Sequence, residues 1–189
     1  TPQPIVSCYN AVVDDLDASL KQEKKPKVIY LTPKGKVFNN DMATALAKEE
    51  SLILLCGHYE GVDQRVIDLI VDEEISIGDY VLTGGELPAL ILIDSISRHV
   101  KGVLGHEESL EEESFTNGLL EYPHYTRPEV FMEKEVPKVL LSGHHKNIES
   151  WRKLESIKLT MKLRPDLFDY EALSKEDKKL LKKHNIIDK

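Results

Sequence analysis

Three short stretches with the residue pattern of β-strands constrain the fold of this chain more than any other feature. They occupy residues 27–32, 51–56 and 74–81, and each runs into a turn that contains glycine or proline. A segment with helical spacing of apolar residues follows each turn. Repeated strand, turn and helix indicate parallel strands joined by crossover helices, and such strands stay apolar because helices cover both faces of the sheet. We therefore expect an α/β fold with a parallel sheet.

The spacing of apolar residues predicts six helices, four in the first part of the chain and two near its end. They are expected over residues 6–22, 40–48, 63–71, 87–99, 147–161 and 173–183. We expect Asp41 to cap the second of these helices and Ser174 to cap the last, because a side-chain oxygen can accept a hydrogen bond from an amide of the first turn.

Composition divides the 189 residues into three parts. Residues 1–104 carry the strands and helices of the α/β domain, residues 105–119 form a glutamate-rich linker that we expect to be flexible, and residues 120–189 form a helical domain. Residues 150–189 contain 11 Lys and Arg against 7 Asp and Glu, although the whole chain has a net charge of −8. This basic end could meet a polyanion such as a nucleic acid, and on charge alone a solvated helical surface explains it as well.

The sequence indicates a protein of the cytoplasm with no membrane partner. No apolar run approaches the roughly 20 residues that a membrane span needs, and no signal peptide is visible. Cys8 and Cys56 are too few for a disulfide framework, and we expect Cys56 to be a buried thiol. The chain opens on Thr-Pro-Gln-Pro without a methionine, so we expect an earlier segment to precede it.

Three loops follow the predicted strands, at residues 32–36, 57–61 and 77–88. In a parallel sheet the ligand binds at the carboxyl ends of the strands, so these loops are expected to converge on one pocket. The third loop is rich in glycine, which permits positive φ and lets a ligand approach the main chain. It matches no common phosphate-binding loop. His144 and His145 lack a third ligand at suitable spacing, so no metal site is predicted.

Five motifs in a fixed order carry a closer resemblance. Residues 57–65 read Gly-His-Tyr-Glu-Gly-Val-Asp-Gln-Arg, and residues 76–88 read Ser-Ile-Gly-Asp-Tyr-Val-Leu-Thr-Gly-Gly-Glu-Leu-Pro. Gly-Val-Leu-Gly follows at 102–105, Pro-His-Tyr-Thr-Arg-Pro at 123–128 and Leu-Leu-Ser-Gly-His at 140–144. Over essentially its whole length the chain resembles the bacterial tRNA (guanine-N1)-methyltransferases of the SPOUT superfamily.

This resemblance implies a deep trefoil knot in the α/β domain, a small C-terminal helical domain and a homodimer, with tRNA as substrate and no other stable protein partner. It implies S-adenosylmethionine as the methyl donor, bound in the knot. The residues that would hold it are Pro33, Gly57, Glu60, Ile77, Gly78, Asp79, Tyr80, Val81, Leu82, Gly84 and Gly85. Magnesium is implied at the level of the family, and no residue of this sequence indicates where the ion would bind.

The implied reaction methylates N1 of guanosine 37, on the 3′ side of the tRNA anticodon. Guanine N1 carries a proton, so a carboxylate that removes it would act as a general base. The family has an aspartate just before a Ser-Phe pair; this chain has Glu113 there, and Glu112 is the competing candidate. Arg98 matches the arginine that would stabilise charge developing on guanine O6.

The basic end of the chain would contact the anticodon stem. Lys158, Lys162 and Arg164 are the candidates for its phosphates, which position the RNA without specifying its sequence. Two other functions stay open at this point: a methyltransferase of the same superfamily that acts on another RNA position, and an inactive module that binds RNA or the cofactor. The carboxylate at Glu113 favours guanine N1 over a ribose hydroxyl, because ribose methylation does not need that base.

Overall fold

The structure, a computed structural model, describes residues 1–20, 24–58, 61–103 and 113–186. The chain forms two compact units, Thr1–Gly105 and His106–Lys189. The linker predicted at residues 105–119 lies in large part outside the described residues, and its flexibility stays a prediction.

A parallel three-stranded sheet organises the first unit. The central strand β1 (Lys27–Val37) has β2 (Leu52–Cys56) on one side and β3 (Glu73–Ser76) on the other. The helices of this unit are α1 (Pro2–Leu20), α2 (Asn40–Leu46), α3 (Gln64–Ile70) and α4 (Glu86–Ser97). The predicted α/β fold with a parallel sheet is confirmed, and the trefoil knot stays an expectation that is consistent with it.

The core of the first unit lies between the sheet and helices α2 and α4. Ile29 and Ile75 from the sheet pack with Leu46 from α2 and Leu92 from α4, and none of these side chains is more than 3% exposed. The residues are large and apolar, and each buried side chain of this size stabilises the fold by about 1.5–3 kcal/mol relative to leaving it in water. The central strand is buried because it has a neighbour on both edges and a helical layer above it.

Strand β1 does not end at the predicted Pro-Lys-Gly turn. It runs on past the turn, and both Leu31 and Lys36 align with Ile75 of β3, so the residues between them form a bulge. A Cβ on Gly35 would lie 2.4 Å from the backbone of Glu74. Glycine at position 35 therefore marks a close approach of two strands, which a pattern along one strand could not reveal.

Two other predicted boundaries are wrong. Strand β3 ends at Ser76, five residues before the predicted end at residue 81, because Gly78 takes a φ of 146° and turns the chain out of the sheet. The N-cap of α2 is Asn39, whose side chain accepts a hydrogen bond from the backbone N–H of Met42 at 3.0 Å. Asp41, the predicted cap, lies in the first turn of the helix.

The second unit contains a hairpin that the sequence did not predict. Strand β4 (Val130–Phe131) pairs antiparallel with β5 (Lys134–Glu135), and the short helix α5 (Lys138–Leu141) follows. The turn residues Met132 and Glu133 have φ values of 47° and 63°. Tight hairpin turns of this kind are usually signalled by Asn-Gly or Asp-Gly, and Met-Glu carries no such local signal.

Two helices close the second unit, as predicted. α6 (His145–Leu163) and α7 (Lys175–Lys183) bury a core that consists of Leu119, Leu154, Ile157 and Leu181. The side chain of Ser174 accepts a hydrogen bond from the N–H of Asp177 at 3.0 Å, which confirms the predicted cap of α7. Across the described parts of both units, no helix combines the length and apolar content that crossing a membrane requires.

Candidate active site

A cleft of about 340 Å³ lies at the carboxyl edge of the parallel sheet. Its walls come from the bulged part of β1, from the loop after β2 and from the loop between β3 and α4. The predicted cofactor residues that line it are Pro33, Gly57, Ile77, Gly78, Tyr80, Val81, Leu82, Gly84 and Gly85. Asp79 is exposed and adds no surface to the cleft, and Glu60 lies outside the described residues.

Two of the three loops are joined by their backbones. The N–H of Gly85 donates a hydrogen bond to the carbonyl of Gly57 at 3.1 Å, and Gly84 forms an antiparallel bridge with His58. A Cβ on Gly85 would lie 2.7 Å from the Cα of Cys56, a distance that backbone atoms do not tolerate. Glycine is required here because two chain segments cross with no room for a side chain.

The third side of the cleft is an apolar wall held by a small turn. The hydroxyl of Ser76 accepts a hydrogen bond from the N–H of Gly78 at 3.2 Å and donates one to its carbonyl at 3.1 Å. The N–H of Tyr80 donates to the carbonyl of Gly78 at 2.9 Å. After this turn the side chains of Tyr80, Val81 and Leu82 are 54%, 82% and 39% exposed, so they offer apolar surface to a ligand.

A His–Glu pair at the cleft was not predicted. Nε2 of His58 lies within hydrogen-bond distance of Oε1 of Glu86, which joins the loop after β2 to the start of α4. The pKa of the Glu86 carboxyl is lowered, first by a hydrogen bond from its own backbone N–H and then by His58. His58 and Glu86 belong to the motifs at residues 57–65 and 76–88, but neither motif indicates that the two side chains pair.

Cys56 and Tyr30 also support this edge of the sheet. Cys56 is half-buried rather than buried as predicted, and partial burial and the charge of Glu86 raise the pKa of its thiol. The hydroxyl of Tyr30 accepts a hydrogen bond from the N–H of Val62 at 3.3 Å, below the loop after β2. Both cysteines of the chain are free thiols.

Arg98 lies at the opposite end of α4 from the cleft. Residues Gly85 and Pro88, near the start of α4, line the cleft, whereas Arg98 is the half-buried C-cap of that helix. Twelve helical residues separate these ends, a distance of roughly 18 Å at 1.5 Å per residue. The structure therefore does not bring Arg98 to the cleft of the same chain.

Glu113 lines a cavity of about 150 Å³ within the second unit. Glu149, Arg152 and Tyr122 share this cavity, and the guanidinium of Arg152 lies 4.8 Å from the centre of the Tyr122 ring. Glu113 is half-buried. Glu112, the competing candidate, lies outside the described residues.

The three predicted phosphate contacts are all exposed on or just after α6. Lys158 pairs with Glu155 at 2.7 Å, and Arg164 makes a two-pronged contact with Asp166 at 2.7 and 2.9 Å. The hydrogen bonds from Arg164 lower the pKa of the Asp166 carboxyl. Exposed pairs of this kind are weak.

The described residues contain no cluster of three or more His, Cys, Asp or Glu side chains that could hold a metal ion. Magnesium therefore stays an expectation of the resemblance, with no ligands assigned to it.

The parallel sheet, the cleft at its carboxyl edge and the separate helical unit define an α/β protein of two units, and the cleft is its candidate ligand site. A family model described as tRNA (Guanine-1)-methyltransferase TrmD matches residues 2–170. The chain belongs to this family.

Curated relatives of the same name match this chain over most of their own length. A tRNA (guanine-N(1)-)-methyltransferase of Alkaliphilus oremlandii is 58% identical over 181 residues, which are 96% of this chain and 72% of the relative. The protein of that name from Clostridioides difficile is 61% identical over 168 residues, 89% of this chain and 71% of the relative. One from Clostridium botulinum strain Hall is 58% identical and covers 96% of this chain and 75% of the relative.

Proposed function

We propose that this protein transfers a methyl group from S-adenosylmethionine to N1 of guanosine 37 in tRNA, next to the anticodon, in the cytoplasm. The observation that carries the proposal is the family match over residues 2–170, which includes both the cleft and the loop that holds Glu113. The names of the relatives describe methylation of guanine N1 in tRNA, and the proposal extends that activity to this chain.

The cleft fits S-adenosylmethionine in size and in chemistry. A pocket of about 340 Å³ lies within the range of roughly 300–1,000 Å³ that small-molecule sites occupy. Tyr80, Val81 and Leu82 supply an apolar wall, and the glycines at 57, 84 and 85 leave backbone groups accessible to an adenine edge. When bound, S-adenosylmethionine supplies a methyl group that its sulfonium has already activated.

Glu113 is the residue proposed to prepare the acceptor. Guanine N1 becomes a nucleophile only as its proton leaves, and a carboxylate within hydrogen-bond reach can accept that proton. Such a general base accelerates a reaction by roughly 10²–10⁴-fold. Arg98 is proposed to stabilise the negative charge that then develops on guanine O6.

We propose that two copies of the chain assemble through α4. One face of this helix is buried in the core, yet Leu87, Leu90, Ile91 and Ile93 are 59%, 61%, 47% and 53% exposed. A helix that is apolar all round is normally covered on all sides. A second copy is the occupant that the geometry favours, because Arg98 lies roughly 18 Å along α4 from its own cleft. A partner can bring its Arg98 to that cleft.

Lys158, Lys162 and Arg164 are proposed to bind phosphates of the anticodon stem. All three are exposed on the second unit, and the carboxylates of Glu155 and Asp166 hold two of them in place until an RNA phosphate displaces those carboxylates. Phosphate contacts of this type orient the RNA. The reacting base itself must leave the helical stack to reach an active site.

Methylation of a tRNA transcript tests the proposal. Protein, S-adenosylmethionine and a transcript with guanosine at position 37 should yield 1-methylguanosine, identified in a nuclease digest by mass spectrometry. The matched control is the same transcript with adenosine at position 37, which should remain unmethylated. Equal methylation of both transcripts, or methyl groups found on ribose, would contradict the assignment to guanine N1.

A further inference from the structure

Two hydroxyl side chains are buried on the core face of α6. Thr160 is fully buried and Ser156 is 7% exposed, beside the apolar core residues Leu154 and Ile157. A buried hydroxyl destabilises a fold unless it is hydrogen-bonded, and serine or threonine in a helix interior competes with the helix backbone. The stability of α6 alone would favour apolar side chains at both positions. The hydroxyls of Ser156 and Thr160 therefore need hydrogen-bond partners.

That partner is the backbone of Leu120. Its N–H donates a hydrogen bond to Oγ1 of Thr160 at 2.8 Å, and its carbonyl accepts one from the hydroxyl of Ser156. The Thr160 hydroxyl in turn donates to the carbonyl of Ser156 at 2.8 Å. Both backbone groups of one residue outside regular secondary structure are thus fixed by side chains of a helix.

Leu120 closes the loop that begins beside Glu113. The N–H of Phe115 donates a hydrogen bond to the carbonyl of Leu119 at 2.8 Å, and the hydroxyl of Ser114 accepts one from the N–H of Glu121 at 2.9 Å. Phe115 has a φ of 77°, a left-handed conformation that costs energy for a bulky residue and therefore needs such support. The residues on both sides of Leu120 are tied to the residues that follow Glu113.

We propose that Thr160 and Ser156 are positioning residues for the reaction. By fixing Leu120 on α6 they set the loop of residues 114–121, and through this loop they set the direction of the Glu113 carboxylate. Glu113 and Ser156 line the same cavity, so the support lies directly beside the group it orients. The proposal rests on the proposed function, with Glu113 as the general base, and neither hydroxyl has to touch tRNA or S-adenosylmethionine.

The test compares Thr160→Val, which removes the hydroxyl and keeps the shape, with Thr160→Ser, which keeps the hydroxyl. Single-turnover methyl transfer at saturating S-adenosylmethionine should slow by about 10–100-fold in Thr160→Val, because a misplacement of 1 Å can cost about 10²-fold. Half-saturation by tRNA should stay within about twofold, because phosphate contacts position the RNA and they are unchanged. Thr160→Ser should restore the rate to within about threefold, because its hydroxyl makes the same hydrogen bonds.

Ser156→Ala provides a second variant should Thr160→Val fold poorly. Its matched control is Ser150→Ala on the same helix, where the hydroxyl donates to the carbonyl of Lys146 and the residue is exposed. Ser156→Ala should slow methyl transfer and speed hydrogen exchange at the amides of Leu120 and Glu121, whereas Ser150→Ala should change neither.

Two results separate this proposal from the proposed function. Absence of methylation by the wild-type protein would overturn the proposed function before any variant is compared. A methylating wild type with equally fast Thr160→Val and Ser156→Ala variants, or with a Thr160→Ser variant as slow as Thr160→Val, would overturn the positioning role alone.

Discussion

The cleft of the first unit and the Glu113 loop of the second unit are held in place by different kinds of bond. In the cleft, backbone meets backbone: Gly85 donates to the carbonyl of Gly57, and no Cβ fits between them. In the loop, the hydroxyls of Ser156 and Thr160 reach from α6 to the backbone of Leu120. The first arrangement fixes a shape into which a ligand fits, and the second fixes the direction of one carboxylate. Changes in the cleft should therefore alter binding, and changes in the loop should alter the rate.

Glu113→Gln, a change in the loop, should give the largest effect, and it should affect the rate of turnover. The amide keeps the shape of the side chain and cannot accept the proton, so turnover should fall by about 10²–10⁴-fold while binding of S-adenosylmethionine is unchanged. Single-turnover assays and calorimetric titration measure the two quantities. Glu149→Gln, in the same cavity, is the matched control and should remain active. Full activity in Glu113→Gln together with loss of activity in Glu112→Gln would identify Glu112 as the general base instead.

Ile91→Glu should break the proposed pairing of copies through α4. A carboxylate in an apolar interface must lose its hydration without a partner, so the association constant should fall by at least about 10-fold. Sedimentation velocity over a concentration series measures it. Leu163→Glu places the same charge at an exposed apolar position of the second unit and should leave the association constant unchanged. An unchanged dimer in Ile91→Glu, or a monomeric wild type, would refute the proposed interface.

Lys158→Ala and Arg164→Ala should have smaller effects, confined to the binding of tRNA. Each change removes one phosphate contact, which should weaken binding a few-fold and flatten the salt dependence of log K by about 0.9. Filter binding at several salt concentrations gives both values. Lys175→Ala, on the separate helix α7, serves as the charge-matched comparison. Should all three variants share one salt slope, α6 would not be the phosphate-binding surface.

The smallest expected effect concerns acid stability beside the cleft. The side chain of Asp63 caps α3, and hydrogen bonds from Arg65 lower the pKa of its carboxyl to about 2. A carboxyl whose pKa is lower in the folded than in the unfolded state stabilises the fold above the unfolded value near 3.9, and this contribution is lost as the pH falls toward 2. The free energy of unfolding, measured with denaturant, should therefore fall less between pH 4 and pH 2 in Asp63→Asn than in wild type. Parallel pH profiles for the two proteins would show that Asp63 contributes nothing.

Sequence patterns located the cleft more completely than the loop. The apolar runs at residues 27–32 and 51–56 became adjacent parallel strands, and the loops after them met, because strand order and handedness leave few alternatives. The bulge at Gly35 was missed because it depends on β3, which lies about 40 residues further along the chain.

The support of the Glu113 loop had no visible sequence signal. Ser156 and Thr160 are ordinary polar residues in a helical pattern, and only the fold shows that they point into the core toward Leu120. Glu113 can be identified from its place before Ser-Phe, whereas Ser156 lies 36 residues from the Leu120 backbone that it holds, and this contact depends on packing.

Calorimetric titration with S-adenosylmethionine of the wild type, Gly85→Ala and Gly102→Ala tests the central claim most directly. The Cβ of Gly85→Ala would overlap Cys56, whereas that of Gly102→Ala meets open space and adds only the strain of a φ of 83°, about 1–2 kcal/mol of stability. We predict that wild type and Gly102→Ala bind with similar affinity and that Gly85→Ala loses at least about 10-fold in affinity, because backbone atoms at the crossing would have to move apart. Equal affinity in all three proteins, or no binding by the wild type, would contradict the assignment of the cleft.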